Sequence, residues 1–198
     1  MGYNQFTAAQ MKNRFNLQIT QKVAMFADVP AVPVSDLLKM SLARYARLAL
    51  RGNSEKARSE FLIAPIVGEA YQQAQERANL FSGEEFNVDP QQGLSGFCDF
   101  LFTLTPLALG IEAPVISIVE AKKEDILAGI PQCLAELVAA QIFNAQADRT
   151  IETLYGAVTT GEIWKFLRLR GTVAEVDTDN YFLDQPEKIV SILLSMLR

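Results

Sequence analysis

The sequence contains no histidine among its 198 residues, and that absence excludes more chemistry than any other feature of the composition. No Ser-His-Asp triad, Cys-His dyad, imidazole general base or histidine-ligated zinc can be assembled from it. Cysteine is scarce as well. Cys98 and Cys133 are the only two, too few for a disulfide framework and without partners at zinc-ligand spacing, so both are expected as buried, reduced residues that behave as small apolar groups. The phosphate loop GxxxxGK[ST] and the dinucleotide fingerprint GxGxxG are missing, which removes support for nucleotide-driven and hydride-transfer chemistry. No unbroken apolar run approaches the roughly 18 residues that span a bilayer, and residues 1–10 lack a charged-then-apolar export pattern. The expected location is therefore the cytoplasm, with no membrane partner. What remains is carboxylate, lysine and hard-metal chemistry.

Hydrophobic residues make up 49% of the chain and charged residues 21%, a balance that predicts one ordinary globular domain with a single core. The formal net charge of −5 argues against a general polyanion binder, because affinity for phosphates rests on Lys and Arg. The average hides an asymmetry. Residues 1–60 hold nine basic against four acidic side chains, and the remainder holds nine against nineteen. Any surface for a polyanion should involve the amino-terminal third.

Residues 1–27 are of mixed polarity and read as a short helix followed by an arm. The segment Val29-Pro30-Ala31-Val32-Pro33-Val34 is stiffened by its prolines, and Ser35 stands where an N-cap belongs. A helix over residues 36–50 follows, with Gly52 as its stop. On it Arg44, Arg47 and Arg51 recur at three- and four-residue steps and share one face. They are the candidate DNA-contacting residues, although such a face is most often simply solvated. A second helix is expected over residues 54–79, bent or divided at Pro65. The period then changes to that of strands over residues 86–88, 96–104 and 115–121. A helix over residues 130–144, strands over 153–158 and 164–169, and a helix over 189–197 complete the chain. Trp164 and Phe166 are expected in the core rather than as a base-stacking platform. The pattern predicts an α/β fold, a layered sheet flanked by helices. Within one domain over residues 1–198, residues 1–52 form a basic arm and helix, 53–170 the core, and 171–198 a terminal strand and helix.

Side chains two apart on a strand share a face, so Glu120 and Lys122 project together. The preceding run Val115-Ile116-Ser117-Ile118-Val119 is almost wholly apolar, as in a strand covered on both sides, and its charged end therefore needs a reason. If Leu104 faces Val115 across the intervening loop, antiparallel register brings Asp99 opposite Glu120. Two adjacent carboxylates repel unless a cation lies between them, and an oxygen-lined site of that kind suits magnesium or manganese. Lys122 beside them would orient water or stabilise charge on a phosphate. Lone Glu-x-Lys tripeptides are common, and this one gains meaning only with Asp99.

The segment Gly96-Phe97-Cys98-Asp99-Phe100, followed by Val119-Glu120-Ala121-Lys122, resembles the bipartite D…(D/E)xK motif of the PD-(D/E)XK, or restriction-endonuclease-like, nucleases. Residues 59–65 are similar to the family's first-helix segment, which would supply Glu60, with Glu55 earlier on the same helix as an alternative. Gln132 with Glu136 resembles the glutamine-bearing helix that follows the lysine strand. Tyr155-Gly156-Ala157-Val158-Thr159-Thr160-Gly161 and Trp164-Lys165-Phe166 resemble the later strand pair. Residues 54–170 as a whole are similar to compact restriction-type proteins of cyanobacteria. Cys98 stands where a proline often precedes the aspartate, a position that varies widely in the superfamily. The resemblance implies a three-layer sandwich with a central mixed sheet, Asp99 and Glu120 as ligands of Mg or Mn, Lys122 assisting water, and Glu60 and Gln132 in support. The implied activity is metal-dependent phosphodiester hydrolysis on DNA. The alternative is a non-catalytic or partner-dependent nucleic-acid-binding subunit that retains the fold. A homodimer is expected where both strands are cut, and a protein partner where target choice comes from elsewhere.

Overall fold

A computed structural model describes residues 2–52 and 54–198. Its centre is the apolar run recognised in the sequence. β4 (Val115–Ala121) is buried along its whole length, as expected of a β-branched strand covered on both faces. β3 (Phe97–Thr103) pairs with it antiparallel and β5 (Leu154–Thr159) pairs with it parallel. Parallel neighbours need a long crossover, and α5 (Ile126–Gln146) supplies it.

Beyond β3 lies β2 (Asn79–Glu85), and beyond β5 follow β6 (Ile163–Arg170), β7 (Val173–Asp177) and β1 (Gln18–Lys22), with β8 (Tyr181–Phe182) pairing to β6 off this path. The result is a mixed eight-stranded sheet in the order β1-β7-β6-β5-β4-β3-β2. One face is covered by α2 (Asp36–Gly52), α4 (Ala64–Gln73) and α6 (Pro186–Met196), whose Leu38, Ile66 and Leu193 pack with Phe102, Trp164 and Phe166. The opposite face is covered by α5 and α1 (Ala8–Phe15), through Met11, Leu134 and Leu137 against Ile118, Val158 and Leu167. The fold is thus α/β, a mixed sheet flanked by helices, with Trp164 and Phe166 in its core as the sequence suggested. Each fully buried Leu, Ile or Phe stabilises such a layer by about 1.5–3 kcal/mol.

Several local expectations are corrected. The helix expected over residues 54–79 is broken into α3 (Glu55–Arg58), a π-helical turn over Ser59–Ile63, and α4. Pro65 explains the break, because it has no N–H to give to the preceding turn. The widened turn passes the Ala64 N–H back to the Ser59 carbonyl instead. The strand expected at residues 86–88 is displaced to β2, which pairs with β3 through residues such as Leu80 and Phe81. The expected arm is no arm. Residues 8–15 are α1, capped by Thr7, and β1 adds itself in parallel to β7.

By length and composition α5 is apolar enough to cross a membrane, with a mean hydropathy of 1.6, and it is the one such helix among the described residues. Half of that stretch is buried inside the protein. Its apolarity follows from packing on β4 and β5. This qualifies the sequence reading, in which no apolar run approached the length that spans a bilayer. The helix starts where Asp125 accepts the Ala128 N–H at 3.1 Å. Two glycines let it lie close to the sheet. A Cβ at Gly156 would come within 2.6 Å of Cys133 Sγ, and one at Gly129 within 2.5 Å of Val158 Cγ1.

A carboxylate and lysine cluster at the end of β3 and β4

The two central antiparallel strands deliver the first pair of acidic residues. Phe100 faces Val119, Leu101 faces Ile118 and Phe102 faces Ser117, and one further step along the same register sets Asp99 opposite Glu120. The anchor assumed from the sequence is corrected. The register shifts between Phe102 and Thr103, so that Thr103, not Leu104, pairs with Val115. The irregularity lies at the far end of the ladder and leaves the Asp99 end in place. There Asp99 Oδ2 accepts the Ala121 N–H at 2.7 Å.

Lys122 follows directly, its backbone N–H donating to the Thr159 carbonyl of β5 at 2.7 Å. Its ammonium donates to Glu120 Oε1 at 2.6 Å and to Gln132 Oε1 at 2.9 Å. Gln132 in turn donates through Nε2 to Glu136 Oε1 at 3.1 Å. The amide orientation follows from chemistry, because an ammonium offers only hydrogens and must meet the carbonyl end. The stem of Lys122 runs over Gly129, where an added Cβ would lie 3.0 Å from Lys122 Cγ. Asp99, Glu120, Lys122 and Gln132 are therefore brought together, and Glu136, named beside Gln132 in the sequence resemblance, closes the chain of contacts.

Burial dominates the electrostatics. It lifts the Glu120 carboxyl from an ordinary 4.5 to about 8, with the nearby Asp99 charge adding to the rise and Lys122 opposing it. Glu136 is fully buried and stands well above the carboxylate range for the same reason, with Glu120 adding to it. Asp99 is also raised by burial, against the Ala121 N–H and Lys122. Burial pulls the Lys122 ammonium down, but contact with Glu120 outweighs it and the group stands above its ordinary value. Glu120 Oε2 and Glu136 Oε2 are buried and receive no hydrogen bond from any ordinary donor, and the two carboxyls can bond each other only while one of them carries a proton.

On its other side Asp99 opens onto a cleft of about 330 Å³, lined also by Glu55, Lys56, Ser59, Glu60, Ser82 and Ala121. Glu60 reaches this cleft but is tied to Lys56 at 2.8 Å and is half exposed. Glu55 acts on the core more directly, since its charge pushes up both Asp99 and Lys122. The short helix bearing Glu55 is capped by Ser54 and pinned by the buried Arg58, which donates to the Thr160 carbonyl at 2.9 Å and to Glu162 at 2.9 Å. Arg44, Arg47 and Arg51 are exposed on α2. Arg44 lies over the ring of Tyr45 at 5.6 Å, and that ring stacks on Phe61.

Two of the larger clefts, both away from the cluster, contain lysines. One of about 620 Å³ contains Lys165, but that ammonium already donates to the carbonyls of Asp177, Thr178 and Asp179, so it braces a turn. The other, of about 580 Å³, is lined by Asp179, Asp184, Glu187 and Lys188, and that lysine caps the Phe26 and Val29 carbonyls. Both thiols are buried and unbonded to each other. Among the described residues, no group of three or more Cys, Asp or Glu is disposed to hold a metal. Gly129 and the burial of Glu136 were not legible beforehand. The available signal was a glycine and a glutamate placed seven residues apart within an apolar helix. Compared with protein-family models and with curated proteins, the chain matches none.

Proposed function

We propose that this chain is a metal-dependent phosphodiesterase acting on DNA, with a restriction-endonuclease-like three-layer fold and Asp99, Glu120 and Lys122 at its centre. The observation that carries the reading is the buried Glu120 carboxyl beside Asp99, with an oxygen that no donor reaches except a neighbouring acid. A carboxyl forced up to about 8 by burial and a second carboxylate is what a divalent cation would relieve. The donor set fits magnesium or manganese. Mg²⁺ keeps several waters and takes only one or two carboxylates together with substrate phosphates, so two protein ligands suffice without a third acidic residue. Bound there, the ion would polarise the phosphodiester and acidify water.

The chain's own residues do the rest. Asp99 holds the end of β4 through the Ala121 N–H while its second oxygen stays available. Lys122 presents a hydrogen-bond donor beside Glu120 and would stabilise negative charge on a bound phosphate. Gln132 keeps that ammonium from turning away. Two buried free thiols suit a reducing, cytoplasmic setting.

The test is a titration of the full chain with MnCl₂ by calorimetry, followed by incubation with plasmid, linear duplex and single-stranded DNA, and with RNA, in Mg²⁺ and Mn²⁺. We expect binding at one site, cleavage of DNA, and loss of cleavage in Lys122→Ala with the fold intact. Cleavage of no nucleic acid with either metal would overturn the proposal, and cleavage of RNA alone would change the substrate.

One observation favours a second reading, a partner-dependent subunit that binds nucleic acid without cutting it alone. The cleft beside Asp99 carries Glu55 and Glu60 against a single Lys56, a poor surface for a phosphate backbone. Under this reading the isolated chain binds Mn²⁺ but neither retains nor cuts DNA until a protein partner or a second copy is present.

A further inference from the structure

We propose that Glu136 is a positioning residue for the Lys122 ammonium, acting through the Gln132 amide. The inference rests on the reading of Lys122 as part of an active centre, and it concerns a side chain that the fold itself does not need.

Glu136 sits in the middle of α5 on its sheet-facing side, fully buried among Cys133, Leu134, Leu137 and Ala140. A carboxyl in such a place is costly unless all its oxygens are satisfied. Only one has a donor of its own. Oε1 accepts from Gln132 Nε2 at 3.1 Å, while the other oxygen meets no donor except Glu120, another buried acid, with which it shares a hydrogen bond only while one of the two carries a proton. An apolar residue of the same length would remove both the desolvation and the repulsion. The acid is therefore a costly choice for packing alone, and its contacts are local.

That effect is directional. A glutamine amide between two acceptors or two donors can flip. Here an acceptor at Glu136 engages the NH₂ end, which leaves the carbonyl end for Lys122 Nζ at 2.9 Å. The ammonium is then held between Gln132 and Glu120. Gln132 and Glu136 are one helical turn apart, so the backbone fixes their separation.

The test compares the full-length wild type with Glu136→Met, Glu136→Gln and Gln132→Met, all without metal. Thermal unfolding is measured together with the rate at which an amine-reactive acylating reagent modifies Lys122, read by peptide mass spectrometry with Lys56 as an internal standard. In Glu136→Met we expect an unchanged or higher Tm and Lys122 modified roughly tenfold faster, the factor for losing one hydrogen bond to a charged group. Gln132→Met should match it. Glu136→Gln should restore slow modification, because its carbonyl still accepts from Gln132 and its amide can donate to Glu120. An unchanged Lys122 rate in Gln132→Met, or in a folded Glu136→Met, would overturn the proposal. So would a large fall in Tm in Glu136→Met with no change in Lys122 reactivity, the outcome of a purely structural role. The phosphodiesterase reading fails separately, as wild type that neither binds Mn²⁺ nor cuts nucleic acid while Lys122 still responds to position 136.

Discussion

Asp99 and Ala121 are joined by a single side-chain hydrogen bond of 2.7 Å, the carboxylate of one strand accepting the backbone N–H at the end of the next. The aspartate therefore does more than face Glu120. It anchors the backbone between Glu120 and Lys122, so that the spacing of these two side chains depends on the residue opposite them.

This predicts different outcomes for two substitutions. Asp99→Asn keeps an acceptor for the Ala121 N–H and should fold with near-native stability while losing Mn²⁺ affinity and cleavage. Asp99→Leu leaves that N–H without a partner and should cost about 1–3 kcal/mol in urea unfolding. Equal losses of stability in both variants would show that the bond does not hold the strand end.

The acidity of Glu120 sets a pH signature. Its folded value of about 8 exceeds the ordinary 4.5, so between those two values the native state holds a proton that the unfolded state has lost. Stability contributed by this difference is complete below about 4.5, declines as pH rises, and is gone above about 8. Without metal, urea unfolding should therefore show stability falling across that window by an amount on the order of a few kcal/mol. Glu136 adds in the same direction and Lys122 faces the group from the same strand, while the neighbouring Cys98 and Cys133 thiols are pushed up by burial and remain neutral. Glu120→Gln should flatten the decline, and saturating Mn²⁺ should oppose it in wild type alone. A flat wild-type profile would show that this carboxyl titrates normally.

Gly129 gives a steric test. A methyl group there would approach Val158 Cγ1 to 2.5 Å and the Lys122 stem to about 3 Å, so α5 must move away from the sheet or Lys122 must shift. We expect Gly129→Ala to destabilise the fold by about 1–3 kcal/mol despite alanine's better helix propensity, and to reduce cleavage further than the stability loss explains. A stabilised variant would mean that α5 tolerates the displacement.

The arginines of α2 are exposed, so reversing Arg44, Arg47 and Arg51 to glutamate should leave the Tm nearly unchanged. If the face touches DNA, affinity falls and the slope of log K against log salt flattens by about 0.9 for each phosphate that is no longer neutralised. Filter binding at several salt concentrations reads this directly, and an unchanged slope assigns the face to solvent.

Legibility in the sequence followed burial. Val115–Ala121 announced itself as a central strand because both of its faces are covered, and its charged end marked the site. The Asp99–Glu120 pairing was reached from a false anchor, since the bulge at Phe102 and Thr103 moves Val115 by one residue. The inference survived because the shift lies beyond the pairs that matter. β1 was illegible for a physical reason. Gln-Ile-Thr-Gln-Lys is an edge strand with only Ile19 partly buried, so it carries little apolar alternation to read. Phe86 resembled a strand residue, yet it follows β2 and packs on Phe143. The role of Gly129 could not be read at all, because it depends on a contact with Val158 that exists only once α5 has crossed over the sheet.

The pairing of β1 with β7 joins Gln18 to Val173 and Lys22 to Asp177. During synthesis β1 must wait, unpaired, until residues 173–177 have emerged, because among the described residues its neighbour in the sheet is β7. Closing that seam is the contact of greatest sequence separation in the sheet and should be the slow event of folding. A ribosome-bound chain halted before residue 173 would carry its central strands formed and its first strand still free.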